Sequence, residues 1–381
     1  MSFLFPVIAY REIFMDETLK RTPIYPWHIA QGARMVPFAG WEMPVMYKSP
    51  IEEHHLTRRS AGLFDIDHMG QVEITGPDAT AFVNNLVSWD INKMAVWDAH
   101  YGLMCYENGT IVDDVFIYSL LEAWYIVINA SNCEKDVAWM HKHAEGYDVN
   151  INDVSDNTVM LALQGPNAFR LLDQMNTSSI SDIPRFSAAM TSLNGIPVLV
   201  GRTGYTGEDG VELFYEAKHG LELWEAILNT GEAAGIEVGP IGLAARDSLR
   251  FEPSFPLYGH EIDDTTTPLE ARLSWACSFE TPFIGRDAIL AQKAAGVPRK
   301  LVGFKLLDKG VPREGYDVAK DGEIVGKVVS GLYGPTIELY AGHAYVPSHL
   351  AKSGTEIDIM IRNKPKKAVI VKRPFYKPSY R

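Results

Sequence analysis

One pattern occurs twice in the chain and limits its possible folds more than any other feature. A strand-like apolar run ends in Gly-Pro and continues into a helical run, first around Gly76-Pro77 and again around Gly165-Pro166. Because proline has a backbone φ angle that suits the first turn of a helix, each copy predicts a strand, a turn and a helix. Two copies are too few for a solenoid, which usually needs at least three repeats. We therefore expect two related α+β units.

The stretches between and after the two copies are strand-like. Runs at 101–106, 111–120 and 124–129 are joined by short polar turns, which favours antiparallel pairing. From residue 299 onward, short strands alternate with turn residues, a pattern typical of a separate all-β domain that begins after 293–299. In contrast, residues 35–47 are aromatic, rich in glycine and proline and without periodicity, which predicts a packed loop.

A glycine-rich stretch at 201–213, GRTGYTGEDGVEL, lies between strand-like runs at 196–201 and 211–215. Its four glycines allow tight turns and close approach of a ligand to the backbone. No Gly-Lys-Ser/Thr follows, and the acids Glu208, Asp209 and Glu212 would repel phosphate. They suit a ligand that donates hydrogen bonds instead. A binding loop and a long hairpin turn both account for the stretch taken alone.

Charge and cysteine content exclude several classes of protein. The formal net charge of −13 argues against binding to nucleic acids or to anionic membranes, which need a positive surface. The three widely spaced cysteines support neither a disulfide framework nor a thiolate zinc site. No apolar run is long enough to span a membrane, and residues 1–20 are too acidic for a typical transit peptide. We expect a cytoplasmic protein with an N-terminal extension over residues 1–20.

Two adjacent acids, Asp113 and Asp114, lie inside the apolar run IVDDVFIY. Successive side chains of a strand face opposite ways, so at most one of the two faces a given pocket. A ligand-binding role and a structural role are both compatible with the pair. The neighbouring histidines His54 and His55 diverge on a helix predicted to begin at Pro50, so we expect no metal site there.

The assembled motifs resemble a known family, the folate-dependent aminomethyltransferases of the glycine cleavage system, or T-proteins. The matching segments run in family order after residue 20: GARMVPFAGWEMP at 32–44, LFDIDHMG at 63–70, YGLMCYENGTIVDD at 101–114, VINASNCEKD at 127–136, LALQGP at 161–166, GRTGYTGEDGVEL at 201–213, GLAARDSLRFE at 242–252, LYGHEID at 257–263 and KRPFY at 372–376.

The resemblance implies an α+β fold of three domains, a cloverleaf of antiparallel sheets with helices, around a central opening that binds tetrahydrofolate. Residues 21–67 with 157–265 would form a discontinuous first folate-binding domain, and 68–156 a second. Residues 282–381 would form a barrel-like C-terminal β-domain.

The resemblance also implies a set of site residues. Asp114 matches the family's key aspartate near the folate nitrogens and is the expected catalytic residue. Glu212 matches the carboxylate that pairs with the pterin, and Arg246 the arginine beside it. With these, Glu208 and Asp209 are expected to be solvent-facing turn residues. The expected folate contacts are Met69, Tyr101, Asp114, Asn129, Tyr205, Glu212, Arg246 and Tyr258.

The resemblance leaves the one-carbon donor open. Departures from the usual family pattern occur at Pro37, Asp67, Trp89, Thr110 and the Pro253-Ser254-Phe255 run. The leading hypothesis is transfer from the aminomethyl-lipoyl arm of an H-protein-like carrier, with release of ammonia. The alternative is a folate-dependent demethylase or dehalogenase acting on a small donor, which would need a closed apolar pocket. A non-catalytic folate-binding protein is the third, and retention of Asp114 beside Tyr101 argues against it.

Overall fold

The computed structural model describes residues 19–176 and 179–380, so almost all of the predicted extension over residues 1–20 lies outside the described residues. The described residues form eight α-helices: α1 (Tyr25–Ala30), α2 (Pro50–Arg59), α3 (Ala79–Leu86), α4 (Cys133–Lys142), α5 (Ala168–Leu172), α6 (Gly220–Ala234), α7 (Leu243–Phe251) and α8 (Arg286–Ala295). None of these helices is long and apolar enough to cross a bilayer.

Nineteen strands lie in the same described ranges: β1 (Arg34–Phe38), β2 (Trp41–Met46), β3 (Ala61–Asp65), β4 (Gly70–Thr75), β5 (Ala99–Cys105), β6 (Ile111–Ser119), β7 (Trp124–Ile128), β8 (Asn150–Asp153), β9 (Thr158–Gln164), β10 (Ala188–Leu193), β11 (Ile196–Gly201), β12 (Gly210–Glu216), β13 (Val238–Pro240), β14 (Arg299–Leu306), β15 (Asp317–Lys320), β16 (Glu323–Gly334), β17 (Leu339–Pro347), β18 (Glu356–Ile361) and β19 (Lys364–Val371).

Six strands form the first sheet, in the order β10-β11-β12-β9-β3-β13. All neighbours pair antiparallel except β13 and β3, which are parallel. Leu163, Val198 and Leu213 are completely buried on one face of this sheet, in a core that includes Trp224 of α6. The glycine-rich stretch connects β11 to β12, so the sheet fixes both ends of it.

Five strands form the second sheet, in the order β5-β6-β7-β4-β8, with every pair antiparallel. Phe82 of α3 and Met140 of α4 are buried in the core on one face of this sheet. Tyr118 of β6 packs edge-on against Phe214 of β12, at 5.5 Å between ring centroids. This shared core brings the end of the glycine-rich stretch beside strand β6.

The two Gly-Pro turns have the predicted structure, since β4 leads to α3 and β9 leads to α5. Gly76 and Gly165 have φ angles of 113° and 128°, which glycine tolerates and other residues rarely adopt. A Cβ atom on Gly165 would lie 2.3 Å from the carbonyl oxygen of Ser60. The turn therefore requires glycine in order to pack α5 against the chain that follows α2.

The C-terminal strands close into a barrel in the order β14-β17-β16-β15-β18-β19, with β19 pairing back to β14. Side chains such as Phe304, Ala344 and Ile359 fill its interior. Mixed helices and sheets with an all-β, barrel-like C-terminal part were predicted, and both are confirmed.

The prediction of a loop at residues 35–47 is wrong. Strands β1 and β2 form a two-stranded hairpin in which Phe38 pairs with Trp41. The two-residue turn consists of Ala39 and Gly40, with φ angles of 48° and 81°. Two consecutive positive φ angles are those of a type I′ turn, whose usual residues are Asn-Gly rather than Ala-Gly. The sequence therefore lacked the ordinary hairpin signal.

Candidate functional site

Asp114 lies on β6 and is fixed by two hydrogen bonds, one from Tyr101 on β5 and one from Asn129, which follows β7. Its Oδ2 atom accepts a hydrogen bond from the Tyr101 hydroxyl at 3.1 Å, and its Oδ1 atom accepts one from Asn129 Nδ2 at 2.8 Å. Burial and the negative charge of Asp113 raise the pKa of Asp114 to about 7, although the two hydrogen bonds oppose the shift. The carboxyl group can therefore gain or lose a proton near neutral pH.

Asp113 points the other way and binds the segment that follows β7. It is completely buried, and it accepts hydrogen bonds from the backbone N–H of Asn129 at 3.0 Å and from Asn129 Nδ2 at 2.9 Å. Asn132 Nδ2 donates a third at 2.7 Å. As strand alternation predicts, only Asp114 of the pair faces the Tyr101 side. Asn129 links the two acids because its amide group bonds to both carboxyl groups.

Glu212, the third residue of β12, has one carboxylate oxygen engaged and one open. Its Oε2 atom accepts hydrogen bonds from the hydroxyls of Thr203 at 2.6 Å and Tyr118 at 3.2 Å. Among the described residues, no donor makes a hydrogen bond to Oε1. Burial raises the pKa of Glu212, while the Thr203 hydrogen bond and the charge of Arg246 lower it. The open oxygen can accept a hydrogen bond from a ligand.

Arg246 on α7 is the cation that acts electrostatically on this carboxylate. Its guanidinium carbon lies 4.8 Å from the centre of the Tyr205 ring, a cation–π distance. It makes no hydrogen bond or ion pair at short range with the residues the structure describes, and burial lowers its pKa. Next to it, burial and the positive charge of Arg246 lower the pKa of His68 to about 3, so this imidazole is neutral. Arg246 can therefore donate to a ligand acceptor.

Aromatic rings connect the Glu212 side of the site to the Asp114 side. Tyr205 lies near Arg246 and stacks on Phe255 at 5.9 Å between ring centroids, and its hydroxyl donates to the carbonyl of Pro256. Tyr101 stacks on Trp275 at 5.3 Å. Asp114 acts electrostatically on both tyrosines. A flat ligand bound between Tyr205 and Tyr101 would have protein polar groups at each end and aromatic rings beside it.

Tyr258 and Met69 lie at the margins of this group. The Tyr258 ring has the ammonium of Lys135 4.3 Å from its centre, and its hydroxyl accepts a hydrogen bond from Lys135 Nζ at 3.2 Å. Met69 is partly buried against the core between the two sheets. The structure thus brings Tyr101, Asp114, Asn129, Tyr205, Glu212 and Arg246 into one connected group, with Tyr258 and Met69 beside it.

The expectation that Glu208 and Asp209 face solvent is wrong. Glu208 is buried, and it pairs with Arg58 at 2.9 Å and accepts hydrogen bonds from the hydroxyls of Tyr376 and Tyr380. Asp209 pairs with Arg202 at 2.7 Å. Arg58 also pairs with the buried Glu252 at 2.8 Å. The partners of Glu208 are distant in sequence, whereas Arg202 lies within the glycine-rich stretch itself.

Tyr118 and Thr203, which orient Glu212, were not predicted from the sequence. For Tyr118, alternation along β6 was the available signal, because Asp114, Phe116 and Tyr118 share one face of that strand. Lys135 was also missed, although it lies in one of the matching motifs. Its partners on β6 and at Tyr258 are far away in the chain, so no local pattern indicates them.

The departures from the family pattern have structural partners of their own. Asp67 is buried, and its Oδ1 atom accepts a hydrogen bond from the backbone N–H of Met160 at 3.1 Å. Trp89 stacks on His100 at 3.7 Å between ring centroids. Ser254 has a φ angle of 63° and shares a 3.2 Å hydrogen bond with His343 of the barrel. Packing accounts for these three residues.

The chemistry of the site suits a neutral, flat heterocycle rather than a metal. Residues 19–176 and 179–380 contain no group of three or more histidine, cysteine, aspartate or glutamate side chains placed to hold a metal ion. Glu212 Oε1 is an open acceptor, Arg246 is a donor beside the Tyr205 ring, and Asp114 acts electrostatically on the rings of Tyr101 and Tyr205. This donor set fits a pterin, which carries an amino group, ring N–H groups and a carbonyl oxygen.

Comparisons with known proteins give consistent matches. Residues 24–281 match the family described as the GCVT N-terminal domain, and residues 299–377 match the glycine cleavage T-protein C-terminal barrel domain. The aminomethyltransferase of Symbiobacterium thermophilum is 47% identical over 376 residues, covering 96% of this chain and 100% of that protein. That of Lysinibacillus sphaericus is 45% identical over 368 residues, covering 96% and 100%. The crystal structure of glycine cleavage system aminomethyltransferase T from Bartonella henselae superposes with a TM-score of 0.88 at 32% identity, covering 95% of this chain and 99% of that one.

Proposed function

The chain belongs to the glycine cleavage T-protein family of one-carbon transferases, and on that premise we propose the reaction that its site performs. The methylene carbon of an aminomethyl group moves from the lipoyl arm of an H-protein-like carrier protein to tetrahydrofolate. Its C–S and C–N bonds break, two C–N bonds to the folate form, and the two folate N–H protons leave with the sulfur as a thiol and with the amine as ammonia. The observation that carries the proposal is the position of Asp114, held between Tyr101 and Asn129 at one end of a group whose other end is the open pair Glu212 and Arg246.

Glu212 and Arg246 are the residues that would hold the pterin ring of tetrahydrofolate. The open Oε1 atom of Glu212 would accept hydrogen bonds from the amino and ring N–H groups, and the guanidinium of Arg246 would donate to the ring carbonyl. The hydroxyls of Thr203 and Tyr118 keep the Glu212 carboxylate in one orientation. Tetrahydrofolate, when bound, supplies the amine nitrogens that take up the one-carbon unit.

Asp114 would act on the reacting nitrogens as a base and as an electrostatic stabiliser. Its ionised carboxylate takes up a proton at Oδ1 or Oδ2 and stabilises positive charge that develops beside it. Because its pKa is raised to about 7, Asp114 can release this proton at neutral pH to the amine that leaves as ammonia. Tyr101 and Asn129 fix the orientation of the carboxylate, and such positioning lowers the entropic part of the barrier.

A lipoyl arm is long and largely apolar, and the surface beside Asp114 suits it. Trp275 is 59% exposed, and one face of its indole covers Tyr101. Its exposed part offers apolar surface next to Tyr101, the residue that bonds to Asp114. This supports a donor that arrives from outside on a carrier.

The alternative reaction, demethylation or dehalogenation of a small donor, is not favoured, because the near full-length relatives are named aminomethyltransferases. The test is to incubate the protein with tetrahydrofolate and an aminomethylated lipoyl carrier and to measure ammonia and the one-carbon folate. A parallel series replaces the carrier with methylated and halogenated small donors. Equal amounts of ammonia and product with the carrier support the proposal, whereas product from small donors alone would overturn it.

A further inference from the structure

Asp136, in the first turn of α4, is a completely buried acid without an obvious partner. No N–H or O–H group of the described residues makes a hydrogen bond to either of its carboxyl oxygens. Lys135 Nζ is 3.7 Å from Oδ1, but this ammonium makes its hydrogen bonds to the carbonyl of Val112 and to Tyr258. A buried carboxylate with no hydrogen bond is costly, so the ionised form does not suit this position.

The neighbour of Asp136 is the carboxyl group of Asp113, with which it can form a hydrogen bond if one of the two acids is protonated. Asp113 already receives three N–H donors, two from Asn129 and one from Asn132. All three contacts use the carboxyl oxygens of Asp113 as acceptors. Two adjacent buried acids do not both ionise, so the proton belongs on Asp136. Burial and the charge of Asp113 accordingly raise the pKa of Asp136 to about 11.

We propose that Asp136 is a positioning residue that stays protonated and donates its hydrogen bond to Asp113, which in turn holds Asn129 against Asp114. The inference rests on the proposed function, in which Asp114 acts on the reacting nitrogens. The chain of contacts runs from Asp136 to Asp113, through the amide of Asn129, to Oδ1 of Asp114. Asp136 and Asp113 then carry one negative charge between them, and this single charge acts on Asp114.

Other titratable groups around Asp136 leave this assignment unchanged. Those that act on it or are acted on by it are Asp113, Asp114, Lys135, Cys133, Tyr106 and Tyr258. Burial and Asp136 both raise the pKa of the Cys133 thiol to about 12, and burial raises those of the two tyrosines. Lys135 is the cation of the set, and at 3.7 Å it lowers the pKa of Asp136 less than burial and Asp113 raise it.

Three variants separate a proton-donating role from a purely structural one. Asp136→Asn keeps a neutral N–H donor of the same shape, and Asp136→Ala removes the donor. Glu134→Gln neutralises an exposed acid of the same helix and is the matched control. Turnover with carrier and tetrahydrofolate is measured across pH. The infrared band of a protonated carboxyl group is recorded on the ligand-free proteins at neutral pH.

We expect the Asp136→Asn and Glu134→Gln variants to keep wild-type turnover and pH profile. Asp136→Ala should lose about 10-fold in kcat with little change in KM, the equivalent of one hydrogen bond to a charged group. Asp136→Asn should lack one protonated-carboxyl band that wild type and Glu134→Gln show. Retention of that band, or a shift of the pH profile of Asp136→Asn to lower pH, would overturn the inference, because both mean that Asp136 is ionised. The infrared result needs no turnover, so it decides the matter even if the proposed reaction fails, and even if Asp136→Ala does not fold.

Discussion

Replacing Glu212 by glutamine isolates the contribution of one carboxylate to ligand binding. The side chain keeps its shape, but only one of its two terminal atoms remains an acceptor. In the wild-type protein, Oε2 of Glu212 accepts hydrogen bonds from the hydroxyls of Thr203 at 2.6 Å and Tyr118 at 3.2 Å, while Oε1 is open. If the glutamine oxygen keeps the two hydroxyls, its NH₂ group faces the N–H donors of the ligand. If the amide group turns round, its NH₂ group faces the two hydroxyls and its oxygen faces the ligand.

Either orientation loses at least one charge-assisted hydrogen bond. Such a bond contributes about 1.5–3 kcal/mol, so the Kd for tetrahydrofolate should rise about 10- to 150-fold. The protein should not unfold, since the pKa of Glu212 is already raised by burial and a neutral side chain is tolerated there. The predicted defect is therefore in binding rather than in stability.

Isothermal titration calorimetry with a reduced folate measures this Kd directly. Glu216→Gln is the matched control, because Glu216 lies at the end of the same strand, is exposed and pairs with the exposed Lys218. The control should bind as the wild type does. A change of less than about threefold in Glu212→Gln would refute the assignment of Glu212 as the pterin anchor, since it is smaller than one hydrogen bond to a charged group.

Three further predictions concern acids in the same part of the molecule. Turnover should rise with pH through about 7, because burial and a neighbouring carboxylate raise the pKa of Asp114 to that value and the ionised form is the active one; a pH-independent kcat between about pH 5 and 9 would contradict this. The pKa of Asp67 is raised to about 9 by burial and by Asp65, against about 3.9 in an unfolded chain, so the folded protein keeps a proton that the unfolded chain releases. Stability contributed by this group is full below about pH 4 and is lost as pH rises towards 9, by at most about 1.4 kcal/mol per pH unit. In urea unfolding experiments, the unfolding free energy of Asp67→Asn should exceed that of the wild type, and the difference should grow from about pH 4 to pH 9. A difference that stays constant with pH would count against the argument. Arg58→Met should lower the unfolding free energy by about 3–5 kcal/mol, because it removes the arginine that pairs with the buried Glu208 and Glu252. Arg59→Met is the control. It breaks an exposed pair and should lower the unfolding free energy by less than about 1 kcal/mol.

Local chemistry predicts much of this fold. The two Gly-Pro turns, the strands on either side of the glycine-rich stretch and the helix over Pro50–Arg59 follow from proline geometry, glycine spacing and the placement of charge. The hairpin of β1 and β2 was missed because its Ala39-Gly40 turn adopts positive φ angles without the usual asparagine or aspartate. Its backbone pairing overrides a sequence that has no strand periodicity.

Predictions at the candidate site were limited by long-range contacts. Glu208 looks like a turn residue in the sequence, and its burial depends on Arg58, Tyr376 and Tyr380, which lie about 150 to 172 positions away. Asp113 and Asp114 could be separated by strand alternation, but only the fold shows that Asn129 bonds to both. The predicted domain boundaries, and the roles assigned to the site residues, stay predictions.

The most direct test of the account is the turnover of Asp114→Asn with tetrahydrofolate and an aminomethylated carrier. Asparagine keeps the size of the side chain and a hydrogen-bond acceptor for Tyr101 or Asn129, but it cannot take up a proton or hold a negative charge. We predict that folate binding stays within about twofold of the wild type, while kcat for ammonia release falls by roughly 10²- to 10⁴-fold. Near-normal turnover in this variant would contradict the central claim that the Asp114 carboxylate performs the transfer.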